Sequence, residues 1–111
     1  MGQLGDKKNL LDNLLERYGN DFSAMINFHG EEISKFILIE ECSELIQSSV
    51  KMLRMKNYSD FLKYRASLLE ESADVIISLY IYLKAQKIDL KELIEEIDIK
   101  MKRNIKRINI E

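Results

Sequence analysis

The chain has 111 residues, a length that fits one domain, and is 46% apolar and 32% charged. Its net charge of −2 gives no bias toward nucleic acid or an anionic membrane. The single cysteine, Cys42, excludes an internal disulfide and points to a reducing cytoplasm.

Proline is absent and glycine occurs four times, so long helices are permitted and nothing reads as a linker or low-complexity tract. Residues 1–9 are polar and lack the apolar stretch of a signal peptide. Met1-Gly2 opens like a myristoylation site, but Asp6 stands where Ser or Thr is required. An amphipathic segment is expected from about Lys7 to Tyr18, with Leu10, Leu11, Leu14 and Leu15 on one side. Gly19-Asn20-Asp21 reads as a break, Phe22 to Phe28 as a short helical piece, and Gly30 as its end.

A long helix is expected from Glu31 to about Lys56. Asn57-Tyr58-Ser59 breaks it, and Ser59 or Asp60 is the expected N-cap of a second helix reaching about Lys87. Asp89 caps a third, with Glu92 placed to complete a capping box, and that helix runs to about Arg107. The most apolar run, Val75 to Leu83, is far shorter than the roughly 18 residues that span a bilayer, so it reads as a buried helical stretch. No segment alternates with period two. The expected fold is all-α, an antiparallel bundle of three main helices. Residues 1–30 form an N-terminal helical extension and residues 31–108 a core motif region within one domain.

Two acidic clusters carry the chemistry: Glu40-Glu41-Cys42-Ser43-Glu44 and Glu70-Glu71-Ser72-Ala73-Asp74. Carboxylates three or four residues apart share one helix face. With a turn centred between residues 57 and 58, antiparallel pairing sets Glu44 level with Glu71 and Glu41 level with Asp74. A second turn near Ile88 brings Lys100, Asn104 and Arg107 to the same height, along the edge of an apolar seam of Ile97, Met101, Ile105 and Ile108. Ile33 and Ile37 continue at helical spacing into Glu41, Glu44 and Ser48, so the acids adjoin a core line. Acids so placed are costly unless paired or bound to a cation.

Oxygen ligands with no nitrogen or sulfur beside them suit a hard cation, Mg²⁺ or Mn²⁺. Lys100, Asn104 and Arg107 supply groups for phosphates, so the whole describes a polyphosphate site with metal-assisted attack by water. A lone acidic motif is usually a solvated helix face; two matched motifs in register argue against that. The single histidine, His29, excludes the Glu-x-x-His pairs of di-iron bundles and reads as a loop residue. Cys42 reads as packing. Lys100, Lys102, Arg103, Lys106 and Arg107 form too short a run to indicate nucleic acid. No P-loop or dinucleotide-binding glycine motif occurs.

These residues resemble the MazG-like all-α nucleoside triphosphate pyrophosphohydrolases, related to dimeric dUTPases. The resemblance rests on Glu41-x-x-Glu44, Glu71-x-x-Asp74, Ile88-Asp89-Leu90-x-Glu92-Leu93 and Lys100-x-x-x-Asn104-x-x-Arg107, over about Glu31 to Ile108. It implies Mg²⁺-dependent cleavage of an NTP or dNTP between its α and β phosphates, to a monophosphate and pyrophosphate, as nucleotide-pool housekeeping. It implies that Glu41, Glu44, Glu71 and Asp74 hold the metal and that Lys100, Asn104 and Arg107 contact phosphate. Glu41 or Glu44 would orient or deprotonate the water. A homodimer or tetramer is also implied, and the all-round apolar stretch Val75 to Tyr82 independently asks for a partner surface. The competing readings are a non-catalytic helical interaction module and a nucleotide sensor that binds without cleaving.

Overall fold

A computed structural model describes residues 13–14 and 16–110, the side chain of residue 110 excepted. Among the described residues there are three helices and no strand, as the all-α expectation requires: α1 Gly19–Met52, α2 Tyr58–Ala85 and α3 Leu90–Ile110. None is long and apolar enough to cross a membrane.

The helix termini show which local signals decide. Gly30 breaks α1 with φ 79° and ψ 168°, a region only glycine adopts at low cost. A Cβ there would meet nothing within 4 Å, so glycine serves the backbone and not the space around it. The Ser34 hydroxyl donates to the Gly30 carbonyl at 2.8 Å and satisfies one of the groups this break frees. Gly19-Asn20-Asp21, expected as a break, is helical instead. The Phe22 amide donates to the Tyr18 carbonyl at 2.8 Å, and the Phe22 ring lies 4.8 Å from that of Tyr80. Burying a phenylalanine gains about 1.5–3 kcal/mol. Glycine in a helix costs about 1 kcal/mol, so the tertiary contact wins. Most of the expected Lys7–Tyr18 segment, with Leu10, Leu11 and Leu15, lies outside the described residues.

α1 ends at Met52, before the expected Lys56, in a tightened turn where Leu53 and Arg54 donate to Val50 and Lys51 carbonyls at 3.0 Å each. The N-cap of α2 is Asn57, not Ser59 or Asp60. Its Oδ1 accepts from the Asp60 amide at 2.8 Å, while Asp60 Oδ2 accepts from the Lys56 amide at 3.1 Å. Asn57 takes the extended conformation a cap requires, which places Asp60 inside the first turn. α2 closes through Lys87 at φ 66°, with the Ile88 amide donating to the Leu83 carbonyl at 2.9 Å. The Asp89–Glu92 capping box forms as expected, with reciprocal bonds of 2.9 and 3.0 Å.

α1 and α2 pack antiparallel. The Ser48 and Ser67 hydroxyls meet at 3.1 Å, and at the far end Gln86 Nε2 donates to Glu31 Oε1 at 2.6 Å. Small residues line this seam: Ser34, Ser48 and Ser78 are all buried, which lets the backbones approach. The third helix departs from the expected arrangement. Only α1 and α2 pack extensively, so α3 does not return along α2. Its seam residues Ile97, Met101, Ile105 and Ile108 are half or more exposed. The radius of gyration is 17.3 Å, against about 13 Å for a compact chain of this length. Among the described residues Phe22 and Ile81 alone form a buried apolar core. Among the described residues many large apolar side chains, Phe28, Leu53 and Ile108 among them, therefore face outward within one chain.

Candidate active site

The α1–α2 seam carries its carboxylates between two pairs of serines. On one side Ser48 touches Ser67; on the other Ser34 and Ser78 border a small cavity of 40 Å³. Glu41 and Glu44 from α1 and Glu71 from α2 fill the layer between. One oxygen from each lies within 4.8 Å of the others. The register expected from the turn at 57–58 thus forms: Glu44 meets Glu71, and Ser48 meets Ser67 one turn away.

Glu41 Oε2 and Glu71 Oε2 are buried and have no hydrogen-bond partner. Both carboxyls are pushed above the ordinary glutamate value. For Glu41 the cause is burial first, then the charges of Glu44, Asp74, Glu71 and Glu40. For Glu71 it is again burial first, then the adjoining Glu44 carboxyl, followed by the charges of Asp74 and Glu70. Asp74, half-buried, therefore belongs to the same electrostatic cluster. Glu40 and Glu70 are exposed and stand behind it. The ion pairs among the described residues are Lys35–Glu32 and Lys102–Asp98, so no cation among them neutralises these acids.

Buried carboxylate oxygens left unpartnered in an all-oxygen set are the donors a hard divalent cation takes. The residues present therefore fit Mg²⁺ or Mn²⁺. Lys100, Asn104 and Arg107 are placed otherwise. They are exposed on α3, which does not pack along the α1–α2 pair, so one chain by itself does not bring them to the acids.

Other residues fall into structural places. His29 closes the first piece of α1 rather than standing in a loop; its ring packs edge-on against Phe28 and borders the cavity beside Ser34. Cys42 is a half-buried free thiol. Ser78 shares the face of α2 that carries Glu71 and Asp74, as its spacing predicts, whereas Ser67 was missed as a seam residue. Extending the pairing register outward from Glu44 and Glu71 would have found Ser67.

Carboxylates that meet across an antiparallel pair of helices, in a chain that the family model matches over most of its length, define an all-α, acid-centred hydrolase of the pyrophosphohydrolase class. The chain belongs to the phosphoribosyl-ATP pyrophosphohydrolase family, whose model matches residues 20–101, within the MazG-like all-α nucleoside triphosphate pyrophosphohydrolase superfamily. The matched stretch contains all four acids, the helical piece before Gly30, and Lys100. It stops short of Asn104 and Arg107. No curated protein and no solved structure matches the chain.

Proposed function

We propose that this protein is a Mg²⁺-dependent pyrophosphohydrolase. It splits the α–β anhydride of a nucleotide triphosphate chain into a monophosphate and pyrophosphate. The observation that carries the reading is the pair of unpartnered buried oxygens, Glu41 Oε2 and Glu71 Oε2, within a three-carboxylate cluster. NTPs, dNTPs and phosphoribosyl-ATP, the substrate in the family's name, all present the same triphosphate chain.

A divalent cation, when bound, supplies charge neutralisation for the phosphates and acidifies the attacking water. Glu41, Glu44, Glu71 and Asp74 would hold that cation between α1 and α2. Glu41 or Glu44 would orient the water and take one of its protons. The water oxygen bonds to one phosphorus of the anhydride, the bridging P–O bond breaks, and its electron pair leaves with the departing phosphate. Lys100, Asn104 and Arg107 bind the phosphates.

That last role needs assembly. Large apolar side chains that one chain leaves exposed call for a covering surface. The exposed α3 seam, with Ile76 and Leu69 on α2, supplies apolar area for it. A homodimer or tetramer of this chain would cover these faces and bring α3 to the acids.

The test is incubation with NTPs, dNTPs and phosphoribosyl-ATP plus Mg²⁺, with products separated by phosphate chromatography. Monophosphate and pyrophosphate in equal amounts are expected. Bound but uncleaved nucleotide would favour a sensor, and neither binding nor turnover would favour an interaction module.

A further inference from the structure

We infer that α3 pairs with α3 of a second copy of this chain, antiparallel about a two-fold axis level with Ile99. This is a particular form of the assembly invoked above, and it does not depend on the reaction catalysed. Every residue from Ile94 to Asn109 is exposed, on a helix that does not pack along the α1–α2 pair. Leu90, Ile94, Ile97, Met101, Ile105 and Ile108 recur at three- and four-residue spacing and so form one stripe along it. Helices in proteins draw most of their stability from packing such a stripe, so this one needs a cover.

The pattern on either side of Ile99 says what the cover is. Residues equally far from it match in apolar character: Leu90 with Ile108, Leu93 with Ile105, and Ile97 with Met101. The same levels are opposite in charge. Glu92, Glu95, Glu96 and Asp98 lie level with Lys106, Arg103, Lys102 and Lys100 respectively. A two-fold axis across the helix brings each level against its mate, so one surface serves both copies. A parallel pair would set acid against acid and cation against cation. The macrodipole accounts for Glu92 in the first turn and Arg107 in the last, but its effect falls off within a turn. It does not account for a change of sign at mid-helix, between Asp98 and Lys100. Lys91 departs from the pattern, being level with Arg107, but the two lie on opposite flanks of the stripe and do not meet.

Helical periodicity places Glu95, Asp98 and Lys102 on one flank of the stripe and Glu96 and Lys100 on the other. Antiparallel two-fold pairing sets like flanks together. Lys102, already 3.0 Å from Asp98 of its own chain, then reaches Glu95 of the second copy, and Lys100 reaches Glu96 of the second copy. Such flank charges set partner choice and orientation, while the stripe supplies the buried area. Asn104 and Arg107 continue the row of Lys100 at helical spacing, so the rows of both copies lie along one edge of the pair.

The experiment is sedimentation velocity on the full chain and on two charge-reversed variants, Glu95→Lys with Glu96→Lys and Lys100→Glu with Lys102→Glu, alone and mixed. Each variant alone should associate more weakly than the wild type by about tenfold or more, because both flanks then meet like charge. An equal mixture should recover the wild-type association, since an acidic and a basic helix again face each other. A wild type that is monomeric at micromolar concentration overturns the pairing together with the assembly invoked for the phosphate contacts, and leaves the metal cluster to its own assay. A wild type that assembles while both variants match it, or a mixture that does not recover, overturns the pairing alone and places the contact on another face. Cross-linking tests the direction even if a reversed variant does not fold. In a Cys42→Ser background under a mild oxidant, Leu90→Cys mixed with Ile108→Cys should form a disulfide dimer, and Ile108→Cys by itself should not. Failure of the mixture to cross-link, or cross-linking of Ile108→Cys by itself, overturns the antiparallel two-fold.

Discussion

Replacing Glu71 by Gln and Asp74 by Asn should make the metal-free protein at least as stable while destroying its response to Mg²⁺. The double variant removes the α2 half of the cluster and leaves Glu41 and Glu44, both from α1. A cation could then no longer bridge the two helices. In the wild type, a cation at about a hundred times its Kd stabilises the fold by about 2.7 kcal/mol. For a chain of this size that raises Tm by about 10 °C. The variant should show no such rise in a thermal melt with and without Mg²⁺. Without metal it should melt at or above the wild type, because two repelling carboxylates have been neutralised against their neighbours. Turnover should fall at least about a thousandfold, in line with loss of electrostatic groups at a reacting centre. A variant with the wild-type Mg²⁺ response, or with activity within a few-fold, would refute the bridging role. A metal-free variant melting far below the wild type would show these acids to be structural.

Four further outcomes are expected. Glu41 and Glu71 are raised in the folded state, so the stability they contribute is full below the ordinary value of 4.5 and is lost as pH rises through their raised values. Metal-free melts should therefore show a loss on going from pH 4.5 toward 8, and Mg²⁺ should restore it at pH 8 but not at pH 4.5. Gly30→Ala should destabilise by about 1–3 kcal/mol in urea unfolding, because its φ of 79° leaves only a backbone penalty. Met101→Glu, on the exposed α3 seam, should reduce the assembled species in sedimentation and lower activity with it; an unchanged sedimentation coefficient would count against assembly through α3. Lys100→Ala should lower kcat/KM by about 10- to 100-fold, the loss expected when a charge-assisted phosphate contact is removed.

Much of the pairing between α1 and α2 was legible in sequence. Gly30, the break near residue 57 and the Asp89–Glu92 box are local signals, and local signals survive folding because each is satisfied within a turn or two of its own backbone. Given an antiparallel pair, arithmetic alone sets Glu44 against Glu71, and the structure places them there. The same arithmetic failed for α3. A short connection and an apolar seam favour a return along α2, but neither says whether that seam is covered by its own chain or by another surface. Gly19 misled for a related reason: its propensity for a break was overridden by Phe22 packing on Tyr80, a contact from far along the chain.

From the sequence alone came helix content, the carboxylate pairs and their spacing, because period and charge are properties of neighbouring residues. The tertiary structure decided that serines let the helices close, that two carboxylate oxygens are buried without partners, and that α3 stays uncovered within one chain. Burial and convergence depend on which distant segments meet, and that is settled by the packing of whole helices.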